Sequence, residues 1–305
     1  MIVGPTAVGK SSLAMALARR HRAAGRQAEI INADSMLLYR GMDIGTAKPS
    51  AADRAEVRHH LIDILEITET ATVAEFQRLA RDAISYCRAR AVVPLVVGGS
   101  ALYVRAIVDD FDFPGTDPVL RAALEAELDL LGSAALHQRL TERDPAAAAV
   151  ILPGNGRRIV RALEVVSLTG RSFSATLPHR SYLLPDVTQI GLDTDRETLS
   201  ARIETRVAAM WDAGFVDEVR GLADSGLRGG LTASRALGYR QILQFLDGEI
   251  SEAEARHRTL IGTRKFARRQ DSWFRKDERI RWLSTAAPDL VESAFHLSSG
   301  GEVVS

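Results

Sequence analysis

The chain has 305 residues, 46% hydrophobic and 26% charged, enough to bury a real core as one large or two modest domains. Lys plus Arg and Asp plus Glu number 39 each, so the net charge is zero; this excludes wholesale attraction to nucleic acid and leaves any basic surface to local clusters. The single cysteine, Cys87, excludes an intrachain disulfide framework and multi-cysteine metal sites, and the seven His show no metal-ligand spacing.

In chain order, short apolar runs alternate with amphipathic stretches. "MIV" reads as a first strand, Ser12 to Arg20 as a helix, "AEIINA" as a second strand ending before Asp34, and Val73 to Arg90 as a helix with the stripe Phe76, Leu79, Ala83 and Ile84. "AVVPLVV" is a third strand before Gly98, and "VTQIGLD" (Val187 to Asp193) a fourth. The alternation predicts an α/β fold, a parallel β-sheet flanked by helices; with the glycine-rich loop "GPTAVGKS" after its first strand, this core is expected to be phosphate-loop NTPase-like. Asp117 to Gly170 reads as almost wholly helical, so residues 116–185 are expected to form an inserted helical domain, with 1–115 and 186–305 as the core. Pro and Gly in "FPGTDP" and "LPHRSYLLPD" would permit the insertion to swing. After Asp195, Leu199, Ile203, Val207 and Met210 make a helical stripe stopped by Gly214. From about Ser284 the tail reads as loosely ordered. No run approaches ~18 apolar residues and the start lacks a basic-then-apolar pattern, so a cytoplasmic protein with no membrane partner is expected. No heptad calls for a second copy, and a monomer is expected.

"GPTAVGKS" (Gly4, Pro5, Thr6, Ala7, Val8, Gly9, Lys10 and Ser11) fits G-x-x-x-x-G-K-[ST], in which backbone N–H groups cradle phosphate, the Lys adds charge and the hydroxyl can hold Mg²⁺. The strand before it is only Met1 to Val3; either the chain begins late relative to that strand or the strand is short. A phosphate-loop kinase also wants an acid ending an apolar strand, but "VVPLVV" ends in Gly98, Gly99 and Ser100. The carboxylate that does end a strand is Asp34, placed to hold Mg²⁺ through water, to accept a proton, or to cap a helix.

Two basic clusters stand out. Arg264 to Arg281 holds eight Lys/Arg interleaved with Phe266, Trp273, Phe274 and Trp282; the charges read as RNA contacts, the aromatics as core-facing. "GRRIVRALEVV" sets Arg157 and Arg161 one turn apart, with Ile159, Leu163 and Val166 on another face.

Together "GPTAVGKS", "ADSMLLYRGMDIGTAKP", "HHLID", "VVGGSALYVRA", "NGRRIVRALEV", "RVAAMWDAGFVDEV", "SRALGYRQ" and "TRKFARRQDSWFR" resemble, in order and from Gly4 to about Arg275, the tRNA dimethylallyltransferases (isopentenyltransferases). The resemblance implies transfer of a dimethylallyl group from dimethylallyl diphosphate to the exocyclic N6 amine of the adenosine 3′-adjacent to the anticodon, releasing diphosphate. By similarity Asp34 is the general base and Ser100, where the family usually has Thr, orients the acceptor or the base. Lys10, Ser11 with Mg²⁺, the loop N–H groups and Arg206 would stabilise the leaving diphosphate. Contacts to the tRNA anticodon arm carry over to Asp34, Ser35, Met36, Leu37, Ser100, Arg121, Arg157, Arg158, Ile159, Val160, Arg161, Gly238, Tyr239, Arg240 and Gln241. Leu37 stands where many members carry Gln. Three rivals remain at this point. Prenylation of free AMP, ADP or ATP has no need of the insertion and basic stretch; a kinase lacks its acid; an RNA-binding module leaves the loop, Asp34 and Ser100 without purpose.

Overall fold

The apolar runs assemble into one sheet. The computed structural model describes residues 1–110, 113–173 and 180–299. Strands β1 (Ile2–Val3), β2 (Ala28–Asn32), β3 (His59–His60), β4 (Val93–Gly98), β5 (Gln189–Asp193) and β6 (Ile280–Ser284) lie in the order β3-β2-β4-β1-β5-β6. Every neighbouring pair is parallel. Central parallel strands covered on both faces favour near-continuous apolar runs; β1 shows this at the limit, two buried residues between β4 and β5. Its pairing extends one residue further, because Met1 O accepts the Ile190 N–H at 2.8 Å and the terminal amine donates to Thr188 O at 2.7 Å.

The chain divides into two compact units, Met1–Val108 with Leu184–Ser305, and Asp109–Leu183. In the first, α1 (Lys10–Ala23), α2 (Ala51–Glu56), α3 (Val73–Ala89) and α4 (Ala101–Val108) alternate with the early strands. Leu13, Ala14 and Leu17 of α1 pack with Ile2, Leu95, Ile190 and Leu192 of the sheet. After β5 come α8 (Arg196–Asp212), α9 (Phe215–Asp224), α10 (Tyr239–Leu246), α11 (Glu252–Phe274) and α12 (Leu290–Ser298). The second unit holds α5 (Pro118–Arg143), α6 (Pro145–Val150) and α7 (Gly156–Thr169), capped by Asp117, Asp144 and Asn155 through their side chains. Its core is Leu124, Leu136, Leu140, Ile159, Val160 and Leu163. The joint "LPHRSYLLPD" falls partly outside the described residues.

Two expectations are corrected here. The tail read as loosely ordered from about Ser284 instead carries α12, which buries Ala294, Phe295 and Leu297 in the core shared with α1; just before it β6, a strand not foreseen, pairs along its whole length with β5. The aromatics of α11 do not all face inward. Phe274 is buried with Ala267 and Gln270, while Phe266 and Trp273 are 37% and 50% exposed, because the inward face of the helix is set by the 267, 270 and 274 positions.

Candidate active site

The chemistry-bearing motifs meet at the carboxyl ends of the strands, where open parallel sheets bind ligands. Between β1 and α1 the loop passes through left-handed conformations at Gly4 (φ 141), Ala7 (φ 65) and Gly9 (φ 109), the kind of turning that lets N–H groups face one concavity. Lys10 opens α1 and donates to the loop carbonyls of Gly4 at 3.0 Å and Pro5 at 2.7 Å. Burial is the main cause of its lowered pKa, about 8; Asp34 opposes the shift and Arg206 adds to it. From α8, Arg202 donates to Val8 O at 3.2 Å and ties that helix to the loop.

Asp34 leaves β2 inside a fixed frame. Buried Asn32 accepts the Asp34 N–H at 2.7 Å and donates to Asp34 O at 2.8 Å and Leu61 O at 2.9 Å. Asp34 Oδ1 accepts the Met36 N–H at 2.9 Å and so caps the short 3₁₀ turn Ser35–Leu38; Oδ2 takes no hydrogen bond among the described residues. Capping therefore occupies one oxygen and leaves the other for a ligand. Arg206 on α8 donates to Thr46 O at 3.3 Å, and burial lowers its pKa against the pull of Asp34.

Two cavities open here, of about 420 and 510 Å³. The smaller is lined by Lys10, Ser11, Gly98 and Gly99, the larger by Ser35, Met36, Ser100, Tyr239, Arg240 and Gln241. Thr6, Asp34, Thr46, Arg206 and Gln270 line both and form the junction. A carboxylate and a guanidinium thus stand between a chamber lined by Lys10, Ser11 and the strand-end glycines and one walled by Val207, Met210, Phe215 and Leu237. Leu37 faces the smaller chamber, apart from Ser35 and Met36. The mouth of the larger carries Lys265, Phe266 and Arg269 from the basic stretch. In that stretch Arg264 pairs with Glu204, Arg275 with Asp193 and Asp271, and Arg279 with Asp277, whereas Lys265, Arg268, Arg269 and Lys276 gather around Trp273.

On α7, Arg157 and Arg158 are exposed, and Ile159 and Val160 are at most 1% exposed in the helical core. That burial withdraws the last two side chains from surface contact and corrects the expectation for them. Arg121 and Arg161 converge on Glu164, itself fully buried, with Thr116 donating at 2.5 Å. Arg161 also donates to Pro114 O at 2.6 Å. Burial pushes the Glu164 carboxyl up, but the Arg121, Thr116 and Arg161 hydrogen bonds outweigh it and hold the pKa at about 2. A depressed carboxyl stabilises the fold above its unfolded value, so this contribution is present above pH 4.5 and is lost as pH falls through about 2. Removing Glu164 strands two partly buried guanidinium groups; Glu164→Ala is expected to destabilise the helical unit by about 3–5 kcal/mol, read by thermal or denaturant unfolding.

Tyr239 is buried and donates to Glu218 at 2.6 Å, and the Gly238 N–H donates to the Gln241 side chain at 2.8 Å, so these shape the wall of the larger chamber. Sequence reasoning missed Asn32, Arg202 and Gln270. Gln270 is 6% exposed, donates to Gly99 O at 2.7 Å and accepts the Thr6 N–H at 2.7 Å, joining the loop to the end of β4. A side chain on Gly99 would sit 2.4 Å from Gln270 Nε2, so the glycine keeps this bridge possible.

The pattern of the family described as IPP transferase matches residues 37–277. The chain is 60% identical to a tRNA dimethylallyltransferase of Thermobifida fusca, over 97% of this chain and 92% of that protein. It is 61% identical to one of Kineococcus radiotolerans, over 94% and 90%. Among solved structures it is similar to the full-length tRNA isopentenylpyrophosphate transferase of Bacillus halodurans, at 38% identity and TM-score 0.70 over 98% of this chain and 94% of that one. It shares its fold with a eukaryotic dimethylallyltransferase acting on tRNA, TM-score 0.83 over 100% and 80% of the two chains at 23% identity.

Proposed function

This chain belongs to the tRNA dimethylallyltransferase (IPP transferase) family and prenylates the adenosine 3′-adjacent to the anticodon from dimethylallyl diphosphate, and we propose that it does so by base-assisted displacement at the junction of its two chambers. The diphosphate lies in the loop chamber and the acceptor adenine enters the other. The N6 lone pair is delocalised into the ring, so attack needs proton removal; Asp34 takes that proton as the N–C bond forms. The allylic C–O bond breaks, and its electron pair leaves on diphosphate, stabilised by loop N–H groups, Lys10 and Arg206. Ser100, at the start of α4 and facing the acceptor chamber, orients the amine. The allylic centre carries cationic character, so water must be shut out; the acceptor RNA completes the wall, and diphosphate release without RNA is slow.

The chamber suits Mg²⁺, since Ser11 offers it a hard hydroxyl oxygen beside the place the diphosphate would take. When bound, the ion would neutralise charge on the leaving diphosphate. The observation that carries this reading is the sharing of Asp34 and Arg206 by both chambers. Its test is a product assay: protein, Mg²⁺ and dimethylallyl diphosphate with an anticodon stem-loop or with AMP or ATP, nucleosides read by mass spectrometry. Mass gain on the stem-loop adenosine alone supports it; gain on the free nucleotide alone moves the activity to nucleotide prenylation.

Lys10 gives a pH dependence with a definite sign. Its charged form persists below its pKa of about 8 and is lost above it, so kcat/KM for the prenyl donor falls above that pH. Lys10→Arg removes this limb; a flat wild-type profile through it would refute the assignment.

The exposed Arg157 and Arg158 meet phosphates of the anticodon arm, and Arg121 and Arg161 are held by Glu164 beside them. Arg157→Ala with Arg158→Ala weakens tRNA binding and lowers the salt slope by about 0.7–0.9 per lost phosphate contact. Melting temperature and donor binding stay unchanged. Equal tRNA affinity at two salt concentrations would remove the assignment. The protein is read as a cytoplasmic monomer; no helix among the described residues is long and apolar enough to cross a membrane.

A further inference from the structure

We propose that Glu29, His60 and Cys87 form a zinc-type metal site with three protein ligands, toward the opposite end of β2 from Asp34. The residues come from three elements, β2, β3 and α3, so no spacing in the sequence announces them. Their ligand atoms form a closed triangle. His60 Nε2 lies 2.6 Å from Glu29 Oε2, Cys87 Sγ lies 3.5 Å from the same oxygen, and Sγ lies 3.8 Å from Nε2. Tetrahedral zinc with one O, one N and one S ligand has edges of about 3.3–3.6 Å between ligand atoms. The Cys87–Glu29 edge of 3.5 Å already matches, the Cys87–His60 edge of 3.8 Å has to close slightly, and the 2.6 Å Glu29–His60 hydrogen bond must open as the ion takes its place.

The surroundings fit a ligand set. Arg90 holds the other Glu29 oxygen, Oε1, which fixes Oε2 toward His60 and Cys87. Cys87 is fully buried, while Glu29 and His60 keep 13% and 12% side-chain exposure, a solvent edge for entry and for a water as fourth ligand. Mixed N, O and S donors select zinc over magnesium or calcium. Binding one Zn²⁺ releases the Cys87 thiol proton to solvent, and the neutral His60 ring carries its proton on Nδ1 so that Nε2 is free to coordinate. A glutamate and a thiolate then balance the dication, and the nearby Arg90 and Arg58 guanidinium groups face no net charge. A catalytic Cys–His–Glu relay does not fit, because Glu29 and Cys87 both address the same His60 nitrogen and burial pushes the thiol pKa up to about 11.

The test uses the full chain, stripped by chelator and titrated with Co²⁺. Since Cys87 is the only cysteine, a near-ultraviolet sulfur-to-cobalt charge-transfer band can come from nowhere else. The expected result is a band saturating at one equivalent, abolished by added Zn²⁺ and absent in Cys87→Ser, with Zn²⁺ raising the melting temperature of wild type but not of Cys87→Ser. His60→Gln, which keeps the thiol, should also lose the one-equivalent band; far-ultraviolet circular dichroism and prenyl transfer of both variants confirm the fold. Absence of the band in wild type, or its persistence in folded His60→Gln, overturns the site.

Discussion

The Asp34→Asn enzyme is expected to transfer dimethylallyl groups about 10²–10⁴-fold more slowly than wild type, with donor and tRNA affinities nearly unchanged. The substitution is clean because the two structural duties at this position survive it. Asn retains an Oδ1 to accept the Met36 N–H and cap the 3₁₀ turn, and the Asn32 frame grips only backbone atoms of Asp34. What disappears is the negative charge and the capacity to take a proton. One side effect must be separated: Asp34 raises the Lys10 pKa, so the variant's Lys10 titrates below about 8. A base role predicts that the loss persists well below that pH, where Lys10 is protonated in both proteins. Recovery of the rate on acidification would mean that Asp34 acts only by keeping Lys10 charged.

What could be read from the sequence follows from how local each signal is. The loop, α1 and the ends of β2 and β4 are local signals: glycines before a Lys-hydroxyl pair, and apolar runs broken by Asp34 and Gly98, mark positions whose meaning depends little on distant partners. β6 is the opposite case. "IRWLS" follows a charged helix and becomes a strand because β5 offers an unpaired edge. α12 carried its signal in the 290, 291, 294, 295 and 297 spacing, which alone does not say that α1 waits to cover it. At the site, Lys10 and Asp34 were legible from the glycine loop and the strand end, and Arg206 only through the family resemblance, but the residues that hold them were not. Asn32 and Gln270 look like any polar residue in a strand or charged helix, and only the folded chain shows each bridging backbone groups far apart in sequence. The α7 arginines show the converse limit: a helical repeat put Arg157 and Arg161 on one face, yet Arg157 is exposed and Arg161 is spent on Glu164 and Pro114.

Arg206→Ala is expected to lower kcat by about 10²–10³-fold, the loss typical of removing one donor aimed at developing negative charge. The side chain contributes little to the fold, since its hydrogen bond to Thr46 O is 3.3 Å long and a bond of that kind is worth about 0.5–1.5 kcal/mol net. Its position at the junction of the chambers matters more there: charge builds on the diphosphate as the allylic bond breaks, and a planar guanidinium can follow two oxygens at once. Arg206→Lys should therefore recover only part of the rate. Arg206→Ala carries a second readout. Arg206 lowers the Lys10 pKa, so its removal moves the alkaline limb of kcat/KM above about 8. A fall in kcat together with that shift ties both cations to one leaving group. A rise in KM with kcat intact would instead make Arg206 a tether that holds donor and transition state equally, leaving stabilisation of the departing diphosphate to Lys10 and the loop N–H groups.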